Sequence, residues 1–229
     1  MPQFHILTKF ATLVLLGQEF TAAMSPPLPQ QACGTTLTKT TPNKIQIECF
    51  LDLICPFSAK MFNTLYDKVI PSLDDDITVT LHQVVQPWHP QGTMVHETAL
   101  AVKEVAPEKY APYVSTLYAA FMEGKFKDED TWDKTRAQIY DDLVALIPEG
   151  VDTNAVRALL AMGEAGGNAG NEMTQQLKFA CKFHRTRGVH VTPTVFVNGV
   201  EAGVVSSGWS EEDWKKFLAA KGEDYFQNE

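Results

Sequence analysis

The run Cys55-Pro56-Phe57-Ser58 holds the residues whose types and spacing best suit chemistry. A cysteine set just ahead of a helix faces the unsatisfied N–H groups of the first turn and the positive end of the helix dipole. Both favour thiolate over thiol. Thiols so placed can fall from a pKa of about 8.5 into a range of roughly 3.5–7.5, and the thiolate is the attacking species in disulfide exchange. Pro56 suits the first helical position, where a missing N–H costs nothing. No residue in 53–58 carries a charge, so the dipole is the expected main influence on the sulfur. A structural cysteine is the plain alternative, since free cysteine is among the most buried residue types. The position at a strand-to-helix turn, followed by proline, favours the functional reading.

The other three cysteines read differently. Cys49 alternates with the apolar residues of a strand, Cys181 lies inside a helical stretch, and Cys33 falls in a linker. No two cysteines form a C-x-x-C pair, and no Cys/His cluster has zinc-finger spacing. Four cysteines in 229 residues are too few for a disulfide scaffold.

The elements around Cys55 follow from periodicity. Ile45, Ile47, Cys49 and Leu51 alternate with Gln46, Glu48 and Phe50, which predicts a strand. Phe57, Met61, Phe62, Leu65, Tyr66 and Val69 then repeat at helical spacing up to Pro71. Ile77, Val79, Leu81, Gln83 and Val85 predict a second strand, parallel to the first through a right-handed crossover. Residues 94–105, 108–123, 130–147, 153–162 and 171–187 read as helices. The stripe of Tyr110, Tyr113, Val114, Leu117, Tyr118 and Phe121 is expected to bury this helical block against the sheet. Strand pattern returns at Thr194-Val195-Phe196-Val197. Asn198-Gly199 signals a hairpin into residues 200–205, and Ser210 with Asp213 makes an acidic capping box for a last helix carrying Trp214, Phe217 and Leu218. The fold class is therefore α/β: a β-α-β and β-β-α sheet domain with an all-helical insertion.

Composition narrows the partners. A net charge of −9 repels phosphate backbones, so no nucleic-acid partner is expected. No apolar run reaches the length of a membrane span. Lys9, the short apolar run 10–17 and Thr21-Ala22-Ala23 fit a signal peptide over residues 1–23, but the run is short, and a loosely packed extension fits as well. The first reading places the protein in the secretory pathway or outside the cell, and the second in the cytoplasm. Residues 1–36 are thus a signal peptide or extension with a proline-bearing linker, 37–93 and 188–222 the sheet domain, and 94–187 the insertion.

His82, His89 and His96 recur every seven residues, but Pro87 and Pro90 interrupt any helix between them, so no metal site is expected. His89 follows the second strand and can serve as a proton donor near Cys55; a surface histidine is the simpler reading. Arg185 and Arg187 suit a helix C-terminus.

The stretch IECFLDLICPFS at 47–58 resembles the thioredoxin-like strand that ends in a C-P-x-C active site, and GVHVTPTVFVNG at 188–199 resembles the second signature of that superfamily. Gln86-Pro87-Trp88-His89-Pro90, Ala99-Leu100-Ala101 and Leu117-Tyr118 resemble the start of the helical insertion in DsbA-like proteins. The resemblance implies a thioredoxin-like domain of the DsbA type over residues 40–220. It makes Cys55 the attacking cysteine, puts Ser58 where the resolving cysteine stands, and makes Pro193, after Thr192, a cis-proline facing the site. Cys55 and Ser58 are then the catalytic candidates, and Pro56, Phe57, Thr192 and Pro193 the substrate contacts. A serine at 58 cannot release a mixed disulfide, although its hydroxyl can donate to a thiolate.

Monothiol exchange or isomerisation on protein thiols and disulfides is the leading expectation. No tightly bound cofactor is expected, and glutathione enters only as a co-substrate. A glutathione-dependent transferase or isomerase resembling the kappa class, and a redox-inactive peptide binder, are the alternatives.

Overall fold

The computed structural model describes Pro29, residues 32–38, 45–164 and 167–220. The expected signal peptide and half of the linker, residues 25–28, 30 and 31, lie outside the described residues. Every element belongs to the unit that begins at Cys33.

Strand β1 is Thr35–Thr36, β2 Ile45–Leu51, β3 Ile77–Gln83, β4 Thr194–Val197 and β5 Val200–Glu201. They form one sheet in the order β1-β3-β2-β4-β5. The alternation in β2 has its predicted consequence. Ile47, Cys49 and Leu51 are fully covered on one face, and Phe50 is covered on the other. β2 pairs in parallel with β3, Ile45 opposite Ile77 and Leu51 opposite Gln83. It pairs antiparallel with β4, Ile47 opposite Val197 and Phe50 opposite Thr194. Asn198, at φ 50°, and Gly199, at φ 86°, close the β4–β5 hairpin. Both central residues have the left-handed backbone that a type I′ turn requires.

Helix α1, Pro56–Thr64, makes the crossover from β2 to β3 and runs on through one π-helical turn at Leu65–Val69. The insertion holds α2 (Gly92–Val105), α3 (Tyr110–Met122), α4 (Asp128–Thr131), α5 (Arg136–Val144), α6 (Thr153–Leu160) and α7 (Thr174–Thr186). Helix α8, Glu211–Ala219, ends the described chain, and the Ser210–Asp213 capping box is present in both directions. Trp214 and Phe217 from α8 join Phe62 of α1 and the Ile47 face of the sheet in the main core. The Phe50 face is covered by α7, where Phe183 stacks on Phe50 at 6.0 Å and meets His82 at 4.8 Å.

Three expectations need correction. The helix read over 130–147 is two helices, because Thr135 caps α5 through a capping box with Gln138 and so starts a new helix. Residues 35–36, read as linker, form an edge strand on β3. The partner strand read over 200–205 is only Val200–Glu201. The tyrosine stripe does dock the insertion. Tyr118 donates to the Asp52 carbonyl at 3.2 Å, and Tyr110 accepts from Gln83 at 3.1 Å. Tyr113 instead donates to Leu143 inside the insertion.

Candidate functional site

Three loops meet at one end of the sheet: the turn after β2, the connection after β3, and the approach to β4. The first turn places Cys55. Its N–H donates to the Asp52 carbonyl at 3.1 Å, and its own carbonyl accepts from Ala59 at 2.9 Å, so it sits as the N-cap of α1. Pro56 at the first helical position removes one N–H from the first turn, leaving those of Phe57 and Ser58 without a side-chain cap.

The approach to β4 supplies the opposing wall. The Thr192-Pro193 peptide bond is cis. Cys55 Sγ lies 3.5 Å from the Thr192 carbonyl oxygen, to which its S–H donates. The structure therefore brings Cys55, Pro56, Thr192 and Pro193 together. The sulfur is largely covered, with Cys55 only 7% exposed, while Phe57 at 54% and Val191 at 53% stand open on either side. Two open apolar side chains beside a narrowly accessible sulfur suit contact with another polypeptide.

Ser58 departs from expectation. Its hydroxyl is fully buried and accepts from the Asp52 N–H at 3.3 Å. No hydrogen bond joins it to Cys55 among the described residues. It braces the turn that carries the thiol.

Asp52 is the site residue that sequence reasoning missed. It is completely buried, yet every part of it is bonded. Oδ1 accepts from the Ile54 N–H at 3.1 Å and lies 3.2 Å from His96 Nε2. Oδ2 accepts from the Gln86 N–H at 3.3 Å and meets His89 Nδ1 at 2.9 Å. His96 Nε2 is also 3.2 Å from the Leu53 amide, so it can accept from the amide or donate to Oδ1, and the carboxylate needs the donor. Burial alone would raise the Asp52 carboxyl, but the hydrogen bonds of His89 and His96 outweigh it and hold the group at about 2. His89, one-fifth exposed, is pushed the other way: the Asp52 hydrogen bond raises it, against burial. A charge thus stands three residues from Cys55, where the dipole alone was expected to act. The signal was present in the sequence as a single acid set among Leu51, Leu53 and Ile54.

Gln86 is a second missed residue. Beyond its bond to Asp52, its side-chain amide donates to the His190 carbonyl at 3.2 Å, tying the β3 loop to the loop of Thr192. Cys49 is buried in β2 with its thiol pushed up to about 12, first by burial and then by Glu48. Cys33 donates to the Phe179 carbonyl at 4.0 Å, and Cys181 is half-buried in α7. Arg187 forks onto Glu48 at 3.1 and 3.0 Å and lies 4.3 Å over the Phe196 ring, so it is committed to the sheet. Among the described residues no cluster of three His, Cys, Asp or Glu side chains could hold a metal ion, and no helix is long and apolar enough to cross a membrane.

No protein-family model matches the chain, and no curated protein sequence does. Solved structures do. A candidate protein-disulfide isomerase from Pseudomonas syringae superposes with a TM-score of 0.63 at 23% identity, over 77% of this chain and 94% of that one. The oxidoreductase NmDsbA1 from N. meningitidis gives 0.54 at 20% identity, over 88% and 90%. BdbD from Bacillus subtilis gives 0.59 at 14%, over 83% and 93%. At these identities the likeness is one of fold: the chain shares the α/β fold of these structures, a mixed sheet with a helical insertion between β3 and β4.

Proposed function

We propose that the protein is a monothiol thiol–disulfide exchange enzyme, an oxidoreductase or isomerase, with Cys55 as nucleophile and protein thiols and disulfides as substrates. The observation that carries this reading is the seat of Cys55 at the head of α1, 3.5 Å from the Thr192 carbonyl beside a cis-proline, with a serine one turn on.

The Cys55 thiolate attacks one sulfur of a substrate disulfide. A new S–S bond forms, the old one breaks, and the second substrate sulfur leaves as a thiolate. Ionisation of Cys55 gives up its bond to Thr192, which frees that carbonyl for an N–H of an incoming extended chain. Ser58 cannot complete an internal cycle. Release falls to a thiolate from outside, either a third cysteine of the substrate or glutathione, which attacks the substrate sulfur of the mixed disulfide and returns Cys55 as thiolate. The first route rearranges disulfides; the second leaves the substrate with one free thiol and one glutathione mixed disulfide, which a second glutathione reduces with release of glutathione disulfide. Cys49 is a poor substitute for a resolving thiol because burial disfavours its ionised form. If residues 1–23 act as a signal peptide, this chemistry runs in an oxidising compartment.

The test is intact mass after incubation with glutathione disulfide. One glutathione on the native chain, mapped to Cys55 and absent in Cys55→Ser, is the expected result. A native Cys55 that stays unmodified while the denatured chain reacts would overturn the reading. Recovery of a scrambled disulfide protein, with and without added glutathione, then separates isomerisation from reduction.

A further inference from the structure

The loop ahead of β4 presents four consecutive carbonyls, each bonded to a different side chain. His184 Nδ1 lies 3.3 Å from the Val189 oxygen, and Gln86 Nε2 donates to His190 at 3.2 Å. Thr194 Oγ1 donates to Val191 at 2.8 Å, and Cys55 Sγ to Thr192 at 3.5 Å. His184 and Thr194 flank the loop, five and three residues from their partners, so their bonds set its shape. Gln86 reaches it from the connection after β3, 104 residues away in the chain, and is 4% exposed. Its bond sets where the loop lies. The His190 carbonyl can only accept, which fixes the carboxamide with its nitrogen toward the loop.

That bond closes a ring. The Cys55 N–H donates to the Asp52 carbonyl at 3.1 Å. The Asp52 carboxylate, through Oδ2, accepts from the Gln86 N–H at 3.3 Å. The Gln86 carboxamide holds the His190 carbonyl, and two residues on, the Thr192 carbonyl accepts from the Cys55 sulfur. The ring starts at the backbone of the nucleophile and returns to its side chain. The Gln86 carboxamide is a link that can be cut with the carboxylate left in place, because the bond from Gln86 to Asp52 comes from its backbone.

The place of the Thr192 carbonyl bears on the exchange step. In the resting thiol it accepts the S–H, and ionisation releases it. The same oxygen is then an acceptor for an N–H of a chain bound at the sulfur. An acceptor already held in place gives more to binding than one that must first be ordered. A disulfide with no N–H beside its sulfur gains nothing from it.

We propose that Gln86 is a positioning residue for exchange at Cys55. Its carboxamide holds the Thr192 carbonyl where the N–H of a bound chain meets it, and so favours disulfides that carry such an N–H over disulfides that carry none. The proposal rests on the exchange function of Cys55. It assigns the selectivity of that step to a buried amide acting through the Thr192 loop.

Two disulfides with one leaving group test it: a short cysteine peptide and mercaptoethanol, which has no N–H, each joined to thionitrobenzoate. The Cys55 thiolate attacks the peptide or mercaptoethanol sulfur. A new S–S bond forms, the old one breaks, and thionitrobenzoate leaves as the coloured thiolate. Gln86→Met is expected to lower the ratio of the peptide rate to the mercaptoethanol rate by about five-fold, the effect of about one hydrogen bond. Gln91→Met, which loses a similarly buried amide bond to the Phe126 carbonyl, leaves the ratio as it was. A native ratio in Gln86→Met, or an equal fall in Gln91→Met, overturns the proposal. Should Gln86→Met not fold, Val191→Gly and Val191→Ala decide. Both remove an open side chain, and glycine alone also frees the backbone between the His190 and Thr192 carbonyls. A lower ratio in Val191→Gly than in Val191→Ala supports the proposal, and equal ratios overturn it. If the native Cys55 reacts with neither disulfide, the exchange reading has failed and this proposal with it.

Discussion

Asp52 and Glu97 are two carboxylates at full burial, 0% and 1% exposed, and the molecule meets the same cost in two ways. Asp52 joins the end of β2 to the β3 loop and to α2, through backbone amides and two histidines. Glu97 joins α2 to α5 and α7. It accepts from Arg136 at 2.9 Å, from Asn171 at 3.0 Å and from Thr174 at 2.9 Å, and also from the Tyr140 hydroxyl. One helix serves both hubs: His96 turns to the sheet, and the next residue, Glu97, turns to the insertion. Arginine stays charged at any working pH, whereas histidine titrates near neutrality. The hub beneath the thiol is therefore built on imidazoles, and the hub that holds the insertion together is anchored by a permanent cation.

Removing the first carboxylate tests the comparison most severely. Asp52→Ala strands two imidazoles and two backbone N–H groups in the interior, and losing one partner of a buried ionic cluster costs about 3–5 kcal/mol. It also frees the turn that holds Cys55. Denaturant unfolding and the rate of Cys55 modification by glutathione disulfide should both change. Lost stability with an unaltered rate would make Asp52 a structural residue only.

Glu97→Ala should cost less, about 2–3 kcal/mol, because Arg136 is partly exposed and can return to water. The Tyr140 and Thr174 hydroxyls still lose Glu97 as acceptor, while the Asn171 amide keeps the Tyr140 hydroxyl. The glutathione rate at Cys55 should hold within a factor of about two, as expected for a site with no shared partner. A rate that falls as far as in Asp52→Ala would mean that the two hubs act as one unit.

Acid sharpens the comparison further, through a third buried group. Burial lowers His82 to about 4, against the pull of Glu48, whose Oε1 lies 3.1 Å from Nε2 without hydrogen-bond alignment. A histidine held neutral by the fold contributes its stability in full above its unfolded pKa of about 6.5 and loses it as pH falls toward 4, about 3 kcal/mol in all. Asp52 stays ionised throughout that window and weakens only as pH falls from about 4 toward 2. Unfolding free energies should fall from pH 6.5 to pH 4, on an unfolded reference of about 6.5, and fall more steeply in the native chain than in His82→Gln, which keeps only the fall due to His184, also lowered by burial. Parallel slopes would move the acid-sensitive group elsewhere.

The sequence showed what is periodic or local and little of what is distant. The β2 alternation, the Asn198-Gly199 turn and the Ser210–Asp213 cap are short-range patterns, and all three stand in the structure. Cys55 was legible for the same reason, because a strand, a proline and a helical stripe flank it directly. Asp52 was not, because its partners His89 and His96 lie 37 and 44 residues away, past two prolines that argued against any relation between them. The break at Thr135 was legible and went unread: Thr135 with Gln138 three residues on is a helix-start signature, masked by apolar spacing that ran on either side.

His89 gives the smallest and most selective test of the contrast. Its partner Asp52 raises it above the ordinary histidine value, so the folded state holds its proton more tightly than the unfolded chain does. The stability from this pair is fully present below the unfolded pKa of about 6.5 and is lost as pH rises through the folded value. His89→Gln should therefore flatten stability on the alkaline side of about pH 6.5 and leave the acid limb set by His82 in place. An NMR titration of the His89 ring should show its midpoint above that of a free histidine, and Asp52→Asn should bring it back toward the ordinary value. Glu97→Ala has no direct bond to His89 and should leave the midpoint where it was. A midpoint that moves equally in both variants would show that the imidazole hub and the arginine hub are coupled through α2.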